Sequence, residues 1–178
     1  MQTPLSYFFS PQGVAIIGAS ANPNKLSHGI LRNLKQSHFQ GKVYPVNPGA
    51  KEILGMTSYP DIASVPDPVE LAVIVLPAPA TVDVLDACGQ RGIKAVTIIS
   101  GGFREVGKEG LVLEERCLDV ARHYGMRLIG PNCVGTMDLH SGLNTTFIHG
   151  VPDQGHIGFI SQSGAICGEV VDYIRGKR

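Results

Sequence analysis

The first 51 of the 178 residues contain no aspartate or glutamate. They hold Lys25, Arg32, Lys35, Lys42 and Lys51, a formal charge of +5 that the rest of the chain cancels to a net charge of zero. The overall balance therefore excludes the basic signature of a nucleic-acid or membrane-surface protein. No apolar run approaches the roughly 18 residues needed to span a bilayer. The N-terminus lacks the basic stretch and apolar core of a secretion signal. The four cysteines, Cys88, Cys117, Cys133 and Cys167, form no CxxC pair. No histidine cluster accompanies them, so neither a disulfide framework nor a zinc or other metal site is expected. Together these absences point to a soluble protein of a reducing cytoplasm. The uneven charge would steer an anionic ligand toward the first third of the fold, unless it is only a chance run of basic surface.

What is present is a chain that folds. Hydrophobic residues make up 43% and charged residues 17%, which excludes disorder. The 22 glycines and 12 prolines punctuate regular apolar runs, so tight turns separate short elements. Strands are expected at Val14–Gly18, Lys42–Val46, Leu71–Leu76, Ala95–Ile99 and Arg127–Ile129, with Pro45 pushing the second toward an edge or an end. Helices are expected at Ser27–Ser37, with Ser27 as N-cap, and at Thr81–Arg91 and Glu109–Tyr124. In the last, Leu113, Cys117, Ala121 and Tyr124 point inward, and Glu114, Glu115, Asp119 and Arg122 outward. Alternation of this kind predicts an α/β fold with a doubly wound, Rossmann-like parallel sheet and ligands at the carboxyl ends of its strands. After residue 138 the rhythm breaks. His156–Ile160 then reads as a strand and Ala165–Arg175 as a helix. One strand and one helix cannot bury a core alone, so residues 1–150 are expected to form one domain and 151–178 the start of a truncated second.

Two loops suit phosphate. Gly18-Ala19-Ser20-Ala21-Asn22-Pro23 leads from a strand into a helix, but it keeps only the first glycine of GxGxxG. The second strand ends at Val46-Asn47-Pro48, with no carboxylate for an adenine ribose until Glu52. Specific NAD binding is therefore not expected. The loop can still offer amides and Ser20 to a phosphate at a helix N-terminus, or be an ordinary turn. Ser161-Gln162-Ser163-Gly164 offers a similar cradle around Ser161, Ser163 and Gly164, or plain helix caps. It is no G-x-S-x-G elbow, and the six histidines show neither metal spacing nor a Ser/His/Asp set. No catalytic residue is expected in the chain. Asn144-Thr145-Thr146 matches a glycosylation sequon, taken as chance.

Read in order, the runs SPQGVAIIGAS with Pro23 and Lys25, VYPVNP, YPDIASVP, ELAVIVLPAP, ISGGF, GPNCVG, LNTTF and GFISQSGA span nearly the whole chain. In these the chain resembles the CoA-binding domain of NDP-forming (ADP-forming) acyl-CoA synthetases. It is similar, more distantly, to the alpha subunit of succinyl-CoA synthetase. The resemblance implies a CoA-binding Rossmann-like domain followed by a flavodoxin-like one. By motif it carries CoA contacts onto Gly18, Ser20, Ala21, Asn22, Pro23 and Lys25, onto Lys51, and onto Ile99, Ser100 and Gly101. Pro77 and Pro79 would wall the cofactor. Gly101 stands where these enzymes often have alanine, with little consequence expected. The resemblance also implies that the intact enzyme turns acid, CoA and ATP into acyl-CoA, ADP and phosphate. That reaction uses Mg, a relay histidine and an ATP-grasp domain or subunit, none of which is expected within these residues. A homo-oligomer is left open. Related domains fused to protein acetyltransferases make a CoA or acyl-CoA sensor the alternative, and a nucleotide-sensing regulator is a weaker third.

Overall fold

The computed structural model describes residues 5–175. Five short apolar runs form one parallel sheet: β1 (Gly13–Ile17), β2 (Lys42–Val46), β5 (Leu71–Ile74), β6 (Ala95–Ile98) and β7 (Arg127–Ile129). Two small hairpins, β3–β4 (Glu52–Ile53 and Met56–Thr57) and β8–β9 (Met137–Asp138 and Leu143–Asn144), stand outside it. The helices are α1 (Leu26–Gln36), α2 (Ala78–Gln90), α3 (Lys108–Tyr124) and α4 (Gly164–Arg175). Five of the six expected strands are present, all but His156–Ile160, and each expected helix falls within three residues of its expected start.

The sheet order is β2-β1-β5-β6-β7, with every pair parallel. The chain winds outward from β1 to β2, then crosses back to β5. The reversal opens a crevice at the carboxyl ends of β1 and β5, where open α/β sheets take their ligands. Because strand side chains alternate, Ala15, Ile17, Ala72, Ile74, Val96 and Ile98 face α2 and α3. Val14, Ile16, Leu71 and Val73 face the opposite layer, in which α1 lays down Ile30, Leu31 and Leu34 beside Phe8 and Leu143. This three-layer sandwich is the Rossmann-like fold that the alternating pattern predicts.

Pro45 sits on an edge strand, as expected. Its carbonyl accepts the Tyr59 amide at 2.9 Å on the side away from β1, so the donor that proline lacks would have pointed outward as well. Glu114 departs from expectation. Instead of facing water it is largely covered, because its carboxylate takes the Arg104 guanidinium at 2.7 Å.

The C-terminal part departs further. His156–Ile160 is not a strand, and Ile157 and Ile160 are 95% and 98% exposed. A parallel strand forms only against a neighbour, and among the described residues no strand lies beside this one. α4 does form, because Ser163 caps it. The Ser163 hydroxyl accepts the Ile166 amide at 3.4 Å, although no residue of the helix is buried. The strap at residues 144–148, by contrast, is bolted to α1. The buried Asn33 amide donates to the carbonyls of Thr146 and Ile148 at 2.7 and 2.8 Å, and Ser37 donates to Gly142 at 2.5 Å.

Candidate functional site

Four loops meet at the carboxyl end of the sheet. The first leaves β1 through Gly18 and Ala19, whose amides both donate to the Val46 carbonyl. Gly18 has φ +85°, and a Cβ there would lie 2.4 Å from the Val75 carbonyl oxygen. Glycine is thus required by backbone geometry and by close approach to the neighbouring strand, whatever the ligand. The loop then caps itself. The Ser20 hydroxyl accepts the Asn22 amide at 3.1 Å, and Asn22 Oδ1 accepts the Asn24 amide at 2.9 Å. Ser20, Ala21, Asn22, Pro23 and Lys25 all lie on this accessible turn.

The turn feeds α1. Ser27 does not cap the helix, contrary to expectation. It lies within the first turn and is buried, and the N-cap is Lys25, whose side chain makes no capping bond. With no acidic residue in the first turn, the positive end of the α1 dipole is left without a side-chain acceptor. His28, half-buried in the same turn, donates from Nδ1 to the Ser20 carbonyl at 3.2 Å. Its other ring nitrogen is not needed for that bond.

The second loop leaves β2. Asn47 Nδ2 donates to the Ala19 carbonyl at 2.6 Å, and its Oδ1 accepts the Gly49 amide at 2.7 Å. One side chain therefore ties two of the loops together. Lys51 follows, exposed, with its carbonyl held by the Ser58 amide. In the third loop Pro77 is the exposed N-cap of α2, with Pro79 in the first turn.

The fourth loop leaves β6. Ile99 sends its side chain into the core, so only its backbone could meet a ligand. Ser100 accepts the Asn132 amide at 3.0 Å, and Gly101 is exposed. The Gly102 amide donates to Glu105 Oε1 at 2.6 Å. That bond, with those from the amides of Glu105 and Phe103, holds the Glu105 carboxyl below its ordinary range.

The fold redistributes the basic segment. Lys25 and Lys51 lie at this end of the sheet. Lys42 opens β2, paired with Gly13 at the amino end, and Lys35 donates to Leu54 near the C-terminus of α1. Sequence polarity thus overstates the local field, because α1 runs antiparallel to the strands and carries Lys35 about 15 Å from its N-terminus. A groove of about 440 Å³ lined by Leu34, Lys35, Phe39 and Met56 lies at that far end.

The loop at residues 161–164 packs on the segment after β7, where a Cβ at Gly164 would lie 2.4 Å from Val134 Cγ2. The Ser161 hydroxyl donates to the Ser163 carbonyl at 3.2 Å and accepts the Ser163 amide at 3.0 Å. Both serines of that loop, beside Gly164, are thus engaged in capping. The cysteines are free thiols. Cys133, after β7, is pushed up to about 11 by burial, so it is no nucleophile near neutral pH. Among the described residues no group of His, Cys, Asp and Glu could hold a metal ion, and no helix is long and apolar enough to cross a membrane. Sequence reading missed Asn47, His28 and Glu105. Only Asn47 carried a signal, the Asn-Pro turn closing a strand.

Residues 12–138 match the model of the CoA-binding domain. The chain belongs to the CoA-binding domain family. Over 167 residues, 94% of its length, it is 47% identical to the alpha subunit of acetate–CoA ligase (ADP-forming) II of Pyrococcus furiosus, of which it covers 36%. It is 44% identical, over 94% of its length, to acetate–CoA ligase (ADP-forming) of Methanocaldococcus jannaschii, of which it covers 23%. Among solved structures it superimposes with a TM-score of 0.90 on acetyl-coenzyme A synthetase 1 of Ca. Korarchaeum cryptofilum, in complex with phosphate and ADP. That match has 43% identity and covers 95% of this chain and 36% of the other. This CoA-binding domain thus spans about a third or less of each of these three proteins.

Proposed function

We propose that the chain is the CoA-binding portion of an ADP-forming acyl-CoA ligase, with CoA lying across the carboxyl ends of β1, β2, β5 and β6. One observation carries the placement. The uncapped N-terminus of α1 opens beside Lys25, on the same end of the sheet as Lys51. CoA brings a pyrophosphate and a ribose phosphate, and anions of that kind suit an unfilled helix N-terminus and flanking ammonium groups. The residues fit the group in a second respect. The Ser20 hydroxyl uses its oxygen to accept the Asn22 amide and keeps its proton for a phosphate oxygen. In this reading Gly18, Ser20, Ala21, Asn22, Pro23, Lys25 and Lys51 surround the phosphates. Pro77 and the Ile99–Gly101 backbone line the remaining wall.

The relatives favour a ligase over a sensor, since the two cited are ADP-forming ligases. In the whole protein, acid, CoA and ATP would give acyl-CoA, ADP and phosphate, with an ATP-grasp domain or subunit holding the nucleotide and Mg. Residues 151–178 would open a second domain, whose sheet would give His156–Ile160 a neighbour. A cytoplasmic location follows from the pools of CoA and ATP such a reaction draws on. Calorimetric titration of the chain with CoA, with NADH as control, tests the reading. Saturable binding of CoA alone is expected. Saturable NADH binding at micromolar concentration, or no heat with CoA, would overturn it.

A further inference from the structure

The turn after β6 is held from both sides by carboxylates. On its outer side, Glu114 of α3 accepts the Arg104 main-chain amide at 3.3 Å and the Arg104 guanidinium at 2.7 Å. On its inner side, Glu105 Oε1 accepts the Gly102 amide at 2.6 Å. A Cβ at Gly101 would lie 2.8 Å from Glu105 Oε1, so the carboxylate end would have to shift slightly to make room for one. Phe103, between the two clamps, is fully buried, so the turn cannot swing away as a unit. Removing Glu114 would loosen the 3-10 turn at Arg104–Val106. Removing Glu105 would release only the stretch from Ser100 to Gly102.

We propose that Glu105 is a positioning residue for CoA: by holding the Gly102 amide, its carboxylate sets the Ser100–Gly102 backbone in the shape that receives the coenzyme. The proposal rests on the placement of CoA given above. Glu105 need not touch the ligand, and an anion in its position would repel a phosphate that came close. Its work is done on the backbone. A charged acceptor makes the stronger bond to an amide, so the grip weakens when the carboxyl is protonated. Because the native carboxyl titrates below its ordinary range, the grip is at full strength at neutral pH and weakens as pH falls through that lowered value. The charged groups of this turn and of the start of α3 are Arg104 and Glu114, paired with each other, Glu115, which also acts on Arg104, and Lys108 and Glu109. The side chains that meet Gly101 and Gly102 from the β7 loop and from α2 are the uncharged Asn132 and Ala78.

The test titrates CoA calorimetrically into the 178-residue chain and into Glu105→Ala and Glu105→Gln, from about pH 3.5 to 7, with thermal melts and amide exchange at Gly102 alongside. Glu105→Ala should weaken CoA roughly tenfold at pH 7 and speed exchange at Gly102. Glu105→Gln should restore most of the affinity, because a carboxamide oxygen still accepts the amide. It should also lack the extra acid-side loss of affinity seen in the wild type. Titration of CoA itself is common to both chains and cancels in that comparison. Wild-type affinity in Glu105→Ala would overturn the proposal. Superimposable pH profiles for the wild type and Glu105→Gln would do so too, and that comparison stands even if the alanine variant does not fold. If the wild-type chain gave no heat with CoA, the placement of CoA would fall first, and this role with it.

Discussion

Replacing Gly18 with alanine separates the demands of the fold from those of the ligand. Two costs add. At φ +85° an L-residue pays about 1–2 kcal/mol for the left-handed region. The new Cβ also lies 2.4 Å from the Val75 carbonyl oxygen and 2.9 Å from Leu76 Cδ2. The first of these is backbone, held beside β1 by the 2.8 Å bond from the Val75 amide to Ile17. Relieving that overlap adds about 1–3 kcal/mol, the usual cost of overpacking. The sum is about 2–5 kcal/mol. A chain of this size loses about 2–4 °C of melting temperature per kcal/mol, so a fall of roughly 4–20 °C is expected. Gly92→Ala isolates the first cost, because Gly92 has φ +83° and nothing within 4 Å of its Cβ position. Gly101→Ala isolates a milder contact, since its Cβ meets only the ends of two side chains, Glu105 and Asn132. Thermal and urea unfolding of the three variants should rank Gly18 as most damaging, Gly92 next and Gly101 last. If Gly18→Ala proved no worse than Gly92→Ala, the β1–β5 contact would be soft, and the reasoning from close approach would be wrong.

Lys51→Glu should weaken CoA binding by about 1–3 kcal/mol, through a lost charge-assisted contact and added repulsion. Unchanged affinity by calorimetry would remove Lys51 from the site. Burial pushes Cys88 up to about 12, and Cys117 and Cys133 up to about 11, so all three remain thiols at pH 8. Iodoacetamide followed by mass spectrometry should therefore find the half-exposed Cys167 modified first, and early labelling of Cys133 would contradict this. Asn33→Leu should cost about 1–3 kcal/mol, because it strands the carbonyls of Thr146 and Ile148. Hydrogen exchange should quicken across residues 144–148 before it does so in the sheet. No local change there would mean that Phe147, packed on Gly29, holds the strap unaided.

The sheet was readable from the sequence because parallel strands buried on both faces are written as short unbroken apolar runs, such as Val14–Ile17 and Leu71–Ile74. The helices were readable from their one-sided periodicity. The His156–Ile160 run carried the same pattern and made no strand. Local pattern states what a segment can do, and only a neighbour makes it do so. The loops of the site were legible as turns, since Gly18–Pro23 and Asn47-Pro48 are written in turn residues. The bonds among them were not. Asn47 reaches Ala19 across 28 positions of chain, and Glu105 folds back on Gly102 through a conformation no periodicity encodes. Summing lysines along the chain misjudged the field because a helix running back against its strands separates residues that the sequence keeps close.

Pro45 has a further consequence, for how the sheet can grow. A strand recruits another by offering outward amides and carbonyls in alternation. Along β2 that row is spoiled, because Pro45 has no amide to offer and Tyr59 already occupies its carbonyl. An intruding chain finds no template there. At the opposite margin, among the described residues, no strand pairs with the outer side of β7. Among the described residues the sheet therefore has one blunted margin and one unpaired one. Of the two margins described, the one beside Leu128 is the one that still offers a strand's full row of amides and carbonyls to misassembly between copies, to an added strand in a fusion or to a register-matched peptide.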